Sequence, residues 1–217
     1  MLVRDLMTQK PIVVAPEMSV PDALTLLRGR KIHHLPVVDE KGRLIGIVTE
    51  QDLLHASASS VTTLSVWELP SLLARITVSM VMVKEVETVG EDTPVEEAAR
   101  IMADQGIGCL PVVDGTGGMT GLVTKADLFR AFMELLGGRR RGVRVWAQTP
   151  DTKGTIAKIT GAIAAISGDI VGLGFNEIRD LKGSRWEITL KVQDVKADKL
   201  AEAIRPFVID IKDVRES

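Results

Sequence analysis

Cysteine and aromatic residues are scarce in this sequence. Cys109 is the single cysteine among 217 residues, so no disulfide can form within the chain, and a reducing compartment is expected. Tyrosine is absent, and three tryptophans with four phenylalanines leave few rings on which nucleic-acid bases could stack. These scarcities disfavour a disulfide-stabilised secreted domain and a platform for single-stranded nucleic acid.

Long apolar runs and an excess of charge of one sign are also missing. No apolar run approaches the roughly 20 residues that cross a bilayer, and the first residues lack the apolar segment of a signal peptide. The formal net charge of −2 provides no strong field to attract nucleic acid or an anionic membrane. We therefore expect a cytoplasmic protein that binds neither DNA nor a membrane.

An internal repeat organises the first two thirds of the chain. The segment Leu-Pro-Val-Val-Asp at 35–39 returns at 110–114, and Gly-apolar-Val-Thr-x-x-Asp-Leu at 46–53 returns at 121–128. Both motifs recur at one offset of 75 residues, which indicates a duplicated unit. Within each copy the hydrophobic pattern predicts the order β-α-β-β-α. One such unit cannot cover both faces of its sheet, so the two copies are expected to pack as a pair.

The pattern predicts an α/β (α+β) fold in four segments. Residues 1–76 hold the first repeat and an amphipathic helix within 64–73, whose alternative role is a docking surface for a partner protein. Residues 77–138 hold the second repeat. Residues 139–141 are three arginines after a helix end, which we interpret as a solvated hinge rather than a nucleic-acid patch. Residues 142–217 are expected to form a ferredoxin-like βαββαβ domain.

Each repeat carries Thr-x-x-Asp where a strand leads into a helix, as Thr49 with Asp52 and as Thr124 with Asp127. The helix N-terminus offers a hydroxyl and backbone N–H groups to a phosphate, and the aspartate can accept hydrogen bonds from a ribose diol. The alternative is an ordinary helix cap, which contributes about 1 kcal/mol and binds nothing. The repetition of the motif beside the Leu-Pro-Val-Val-Asp strand favours the nucleotide site.

On these repeated motifs, residues 1–136 resemble a tandem pair of cystathionine-β-synthase-type (CBS) domains. The resemblance implies a module that binds AMP, ADP, ATP or a related adenosine ligand in two clefts, each built from both repeats. It implies an Asp127 cleft formed by Thr8, Ile12, Ile32, His33, His34, Thr124 and Asp127. It implies an Asp52 cleft formed by Thr49, Asp52, Val83, Glu87, Ile107, Gly108 and Cys109.

The two clefts are expected to differ in their affinity for phosphate. His33 and His34 stand where related domains have basic residues that contact phosphate, and a phosphate would hold a histidine protonated. In the Asp52 cleft, Gly108 and the nearby Glu87 disfavour a polyphosphate. We therefore expect the better nucleotide site in the Asp127 cleft, the alternative being that both histidines are strand residues without a ligand. No metal site is expected, and Cys109 is expected to be a buried strand residue.

Residues 142–217 resemble the ACT family of small-molecule sensors, which are often tuned to amino acids. The stretches 151–156 (Asp-Thr-Lys-Gly-Thr-Ile) and 168–172 (Gly-Asp-Ile-Val-Gly) carry the resemblance. In that family a glycine at the start of the first helix lets a ligand approach backbone N–H groups at a subunit interface. This implies an amino-acid site at Asp151, Gly154, Thr155 and Ile156. The alternative is that Gly154 permits only a tight turn and that the domain serves dimerisation.

Two CBS repeats followed by an ACT-like domain resemble the acetoin-utilisation accessory proteins, which implies regulation of carbon or energy metabolism. We expect a non-enzymatic homodimer in which an adenosine nucleotide is a regulatory ligand rather than a cofactor, and a protein partner that the sequence does not identify. Catalytic signatures such as Gly-x-Ser-x-Gly or a Walker segment are absent, which disfavours an enzyme. The alternatives are a structural dimer without nucleotide and a transcription-linked regulator.

Overall fold

A computed structural model describes residues 1–59, 75–180 and 183–217. The contacts divide the chain into two compact units, Met1–Leu128 and Phe129–Ser217. The first unit contains the first repeat and the second repeat as far as Leu128, so the second unit begins within the last helix of the second repeat, earlier than the predicted boundary at 139–141. The amphipathic helix predicted within 64–73 lies outside the described residues.

Each repeat of the first unit contains the predicted helix, strand pair and helix. In the first repeat these are α1 (Val20–Arg30), β2 (His34–Val38), β3 (Leu44–Thr49) and α2 (Glu50–Ser59), preceded by a two-residue strand β1 (Thr8–Gln9). In the second they are α4 (Val95–Asp104), β4 (Cys109–Val113), β5 (Met119–Thr124) and α5 (Lys125–Leu135), preceded by a short helix α3 (Val78–Val81). The segments before α1 and α4 contribute single bridges, Val14 to Val37 and Val89 to Val112.

The first helix of each repeat buries the same face but begins differently. Ser19 caps α1, where its hydroxyl accepts a hydrogen bond from the backbone N–H of Asp22 at 3.2 Å. In α4 the cap position is occupied by Pro94, which has no side-chain cap. Apolar residues at helical spacing fill the core in both cases, namely Val20, Ala23 and Leu27 in α1 and Ala98 and Met102 in α4.

The repeats exchange their leading segments. Strand β1, from the start of the chain, pairs with β5 of the second repeat through Thr8 and Leu122. In the equivalent contact, Val83 pairs with Ile47 of the first repeat. Val3 is accordingly buried in the core of the second repeat, whereas Val78 is buried in the core of the first. Each cleft between the repeats is therefore built from both halves of the duplication.

The second unit is a four-stranded antiparallel sheet with helices in its crossovers. Its elements are β6 (Val143–Pro150), α6 (Thr155–Ala165), β7 (Asp169–Asp180), β8 (Gly183–Gln193), α7 (Ala197–Ile204) and β9 (Asp210–Glu216). The strand order is β7-β8-β6-β9, and the element order β-α-β-β-α-β is as predicted. One core joins the inward residues of the sheet to α6 and α7, including Val145, Ile159, Ile163, Leu190 and Leu200.

The contacts at the end of α5 explain why the second unit begins early. The main chain of Leu136 lies so close to Gly172 of β7 that a β-carbon at that glycine would have no room. Lys191 of β8 is also buried, and its ammonium group donates a hydrogen bond to the carbonyl oxygen of Ser217 at 2.7 Å. The end of α5 thus packs against the sheet of the second unit at Leu136. The hinge at 139–141 remains a prediction. Among the described residues, no helix is long and apolar enough to cross a membrane.

Candidate functional site: two clefts between the repeats

Both Thr-x-x-Asp motifs form reciprocal helix caps. The hydroxyl and backbone N–H of Thr49 donate to Oδ2 of Asp52 at 2.7 and 2.9 Å, and the backbone N–H of Asp52 donates back to the hydroxyl at 3.2 Å. Thr124 and Asp127 repeat this arrangement at 2.6, 2.8 and 3.4 Å. Each aspartate is therefore held by the first turn of its helix through its Oδ2 atom.

The Asp52 cleft is an open cavity of about 430 Å³ within the first unit. Residues of both repeats line it, and all seven residues assigned to it from the sequence are among them: Thr49, Asp52, Val83, Glu87, Ile107, Gly108 and Cys109. The exchange of leading segments brings Val83 to Ile47, where the two backbones exchange hydrogen bonds of 2.9 and 3.0 Å. The cleft therefore combines a helix N-terminus, a fixed carboxylate and apolar walls.

The Asp127 cleft is the counterpart of the Asp52 cleft under the 75-residue shift. The shift carries the seven residues above onto Thr124, Asp127, Thr8, Ile12, Ile32, His33 and His34. The structure brings Thr8 to β5 through the β1–β5 pair, and packs Ile12 and Ile32 against the core of the first repeat. The side chain of His33 is exposed, with Nδ1 at 3.9 Å from Oε2 of Glu50.

His34 occupies a position that the sequence does not reveal. It was assigned to the Asp127 cleft, but its side chain lines the Asp52 cleft, with Nε2 about 3.0 Å from where a β-carbon of Gly108 would lie. Burial lowers the pKa of His34 below its ordinary value, and the adjacent His33 lowers it further, whereas Asp52 raises it. The lowered pKa favours the neutral imidazole at neutral pH.

Cys109 is the buried first residue of β4, as expected. Burial raises the pKa of its thiol to about 12, so the thiolate that a nucleophile requires is not populated at neutral pH. Within the ranges that the structure describes, no group of three or more His, Cys, Asp or Glu side chains could hold a metal ion.

A second cavity, of about 550 Å³, lies in the C-terminal unit at the start of α6. All four residues assigned to an amino-acid site line it: Asp151, Gly154, Thr155 and Ile156. Gly154 precedes the helix with a φ of 84° and no side-chain cap. The indole N–H of Trp186 donates to Asp151 at 2.9 Å, and its ring stacks on Phe175 with centroids 4.4 Å apart.

Several lining residues of both cavities are missed by sequence reasoning. In the Asp52 cleft, Glu85 and Gln105 flank predicted positions, and Ile47 enters through its pairing with Val83. In the C-terminal cavity, Phe175 and Trp186 lie on the two arms of a hairpin whose register places Glu177 opposite Trp186. The helical or strand period of a single segment gives no signal for such contacts. The 75-residue shift does identify Glu85 and Lys10 as equivalent positions of the two repeats.

Comparison with known proteins identifies the class of the first unit. The family model described as CBS domain matches residues 3–59 and 78–134, which are related by the same 75-residue shift as the clefts. The chain belongs to the CBS domain family. A CBS domain-containing protein of Dictyostelium discoideum is 34% identical over 135 residues, which are 62% of this chain and 93% of that protein.

Relatives also include a much longer protein with an enzyme name. The L-aspartate semialdehyde sulfurtransferase of Methanocaldococcus jannaschii is 34% identical over 131 residues, which are 60% of this chain. The match spans only 23% of that protein. Most of that protein therefore lies outside the part that resembles this chain.

Solved structures similar to this chain include two with adenosine ligands. The CBS domain pair of protein MJ0100, in complex with 5′-methylthioadenosine and S-adenosyl-L-methionine, has a TM-score of 0.53 and 33% identity, and the similarity covers 64% of this chain and 98% of that one. CBSX2 in complex with AMP has a TM-score of 0.51 and 34% identity, over 60% of this chain and 94% of that one. A putative acetoin utilization protein from Vibrio cholerae has a TM-score of 0.55 and 32% identity, and the similarity covers 64% of this chain and 95% of that one.

Proposed function

We propose that this chain is a regulatory sensor that binds adenosine ligands, AMP, ADP or ATP among them, in the clefts between its two CBS repeats. The observation that carries the proposal is the Asp52 cleft, which gathers seven residues assigned from the sequence, drawn from both repeats, around one capped helix. The relatives solved with AMP and with 5′-methylthioadenosine and S-adenosyl-L-methionine support the choice of an adenosine ligand.

Each part of the ligand has a matching group in this arrangement. A carboxylate held by its helix cap accepts hydrogen bonds from a ribose diol without reorganising, because the cap already fixes its rotamer. Apolar residues such as Ile107 and Val83 offer a surface to the purine ring. The N-termini of α2 and α5 attract anionic groups.

Sensing follows from the shared construction of the clefts. A ligand that contacts both repeats stabilises the packing that brings them together and shifts the population toward it. The coupling free energy between ligand and partner cannot exceed the difference between the ligand's binding free energies for the two packing states. We therefore propose that nucleotide occupancy is transmitted to a protein partner or to the C-terminal unit.

A regulatory rather than a catalytic role is part of this proposal. The raised pKa of Cys109 and the capping role of both aspartates leave these residues suited to structure and binding. The chain resembles the longer enzymes over the part that matches the CBS pair, which supports a regulatory module.

For the C-terminal unit we propose an ACT-like domain that forms a homodimer and binds an amino acid in the cavity at Asp151–Ile156. The strand order β7-β8-β6-β9 and the open backbone at Gly154 support this assignment. The likeness to a putative acetoin utilization protein supports a role in carbon or energy metabolism. We propose a cytoplasmic location, in keeping with the single reduced cysteine.

Isothermal titration of the full chain with AMP, ADP, ATP and S-adenosylmethionine tests the proposed function. Saturable binding is expected for at least one ligand, and Asp127→Ala and Asp52→Ala should each abolish one site. Asp127→Asn, which can still accept the cap hydrogen bond, is the control for helix capping. Thermal melts establish that each variant is folded. If none of the four ligands produces heat of binding, the proposal is contradicted, and the motifs are helix caps in a structural dimer.

A further inference from the structure

The 75-residue shift allows the two clefts to be compared position by position. The Asp52 cleft is lined by two carboxylates beyond Asp52 itself, Glu85 and Glu87. The equivalent positions near the Asp127 cleft hold Lys10 and Ile12. The leading segment of the second repeat therefore contributes two negative charges to the Asp52 cleft. At the equivalent positions, the leading segment of the first repeat has one positive charge.

The opposite wall of each cleft shows the same contrast. In the Asp52 cleft this wall is uncharged and consists of the turn after α4 and the start of β4. In the Asp127 cleft the equivalent positions are basic: Arg30, Lys31 and His33. The corresponding residues of the uncharged wall are Gln105, Gly106 and Gly108.

The backbone at one of these positions favours glycine, yet the Asp127 cleft has lysine there. Gly106 ends α4 in the left-handed conformation, with a φ of 69°. Lys31 ends α1 in the same conformation, with a φ of 54°, where a β-carbon is unfavourable. Lys10, also at positive φ (48°), lines a further cavity together with Arg4, Asp5 and Glu91. Strained residues of this kind concentrate at functional sites.

Nearby charges of the opposite sign do not cancel the contrast. The carboxylate closest to His33 is Glu50, which is already paired with Arg28 at 3.0 Å. The one lining residue of the Asp52 cleft that can become cationic is His34, and burial lowers its pKa. The positions that the 75-residue shift assigns to the Asp127 cleft therefore carry net positive charge, whereas the lining of the Asp52 cleft carries net negative charge.

We infer that the two clefts sort adenosine ligands by charge: the Asp127 cleft takes a phosphorylated nucleotide, and the Asp52 cleft takes an adenosine derivative without phosphate, uncharged or cationic. The inference rests on the proposed function and deepens it, because it assigns a different ligand class to each cleft. One chain then binds two different adenosine compounds at once and responds to the concentration of each.

Elementary electrostatics supports this division. A phosphate carries up to two negative charges, which basic groups stabilise and carboxylates within a few ångströms repel. Adenosine and 5′-methylthioadenosine have no such charge, so the carboxylates of the Asp52 cleft cost them nothing and can accept hydrogen bonds from their hydroxyl groups. Salt screens the attraction between a phosphate and basic groups more than it screens the hydrogen bonds between the ligand's hydroxyl groups and the carboxylates.

Competition titrations of the full chain test the division. We expect AMP to bind at one site per chain, and adenosine or 5′-methylthioadenosine to bind a further site in the presence of saturating AMP. The affinity for AMP should fall with rising salt, while that for adenosine should change little. If saturating AMP blocks adenosine completely, or if two equivalents of AMP bind equally well, the division is wrong although the proposed function stands.

Exchanging the charges between equivalent positions provides matched variants. Arg30→Gln with Lys31→Gly gives the Asp127 cleft the residues of its counterpart, and should weaken AMP at least about tenfold without changing adenosine. Gln105→Arg, Gly106→Lys, Glu85→Lys and Glu87→Ile together make the reverse exchange and should create a second AMP site. Unchanged AMP affinity in the first variant would overturn the inference, and thermal melts check that both variants fold. If no adenosine compound binds the parent protein, the proposed function fails together with the inference.

Discussion

The two CBS repeats have the same strand pairing but differ at the loops around their clefts. In β2 and β3, Leu35 lies opposite Val48, and in β4 and β5, Leu110 lies opposite Val123. The register shift also recurs, between Val37 and Val38 and between Val112 and Val113. The residues that diverge in charge lie at helix ends and in connecting segments. Apolar pairing and helix caps thus maintain the duplicated scaffold, while loop residues are free to change ligand chemistry.

The strongest test of this equivalence is the core position that both repeats share. Leu35→Ala and Leu110→Ala each remove a fully buried side chain, and each should lower the free energy of unfolding by about 2–5 kcal/mol. Urea denaturation measures the change. Leu→Met at either position should cost less than about 1.5 kcal/mol. A large loss at one leucine with none at the other would show that the repeats are not energetically equivalent.

Removing the threonine caps should have a smaller effect, again in both repeats. Thr49→Ala and Thr124→Ala should each lower the free energy of unfolding by about 0.5–2 kcal/mol, because each leaves a backbone N–H of the helix without its acceptor. Thr→Ser keeps the hydroxyl and serves as the control in urea titrations. Alanine variants as stable as the parent would argue against the caps.

The left-handed residues at the ends of α1 and α4 should respond in opposite directions. Lys31→Gly relieves an unfavourable backbone conformation and should raise the free energy of unfolding by about 1 kcal/mol. Gly106→Lys should lower it by a similar amount, since open space surrounds that position and only the backbone is strained. Thermal melts of the two variants check the signs. If Lys31→Gly destabilises the protein, then the lysine contributes contacts that outweigh the strain.

The smallest expected effect concerns pH and distinguishes the first repeat, which has His34, from the second, which has Cys109. In the folded protein the pKa of His34 lies below the ordinary value of 6.5. The unfolded chain therefore binds a proton first, and the free energy of unfolding should fall as the pH drops below about 6.5. His34→Gln should flatten this slope in urea titrations at pH 5–7 and leave it unchanged between pH 7 and 8. An equally steep slope in the variant would assign the titration to another group.

Sequence reasoning predicts those parts of the molecule that depend on local pattern or on repetition. The Thr-x-x-Asp caps follow from spacing alone. The residues that line the Asp52 cleft are predicted from the resemblance to CBS domains. That resemblance implies clefts built from both repeats, which the pattern of a single repeat does not reveal.

The remaining features depend on contacts between distant segments. His34 lines the Asp52 cleft because the first residues of β2 and β4 lie close together, and no pattern within one repeat encodes that approach. The boundary of the second unit shifts into α5 because Leu136 packs on β7. The stacking of Phe175 on Trp186 requires the register of a hairpin, which a one-residue slip would change completely.

The most direct test of the account is a crystal structure of the protein grown with AMP and 5′-methylthioadenosine together. We expect AMP in the Asp127 cleft, with its ribose on Asp127 and its phosphate toward Lys31 and His33. We also expect 5′-methylthioadenosine in the Asp52 cleft, with its ribose on Asp52. A phosphate beside Glu85 and Glu87, or both clefts empty at saturating ligand, would contradict this expectation.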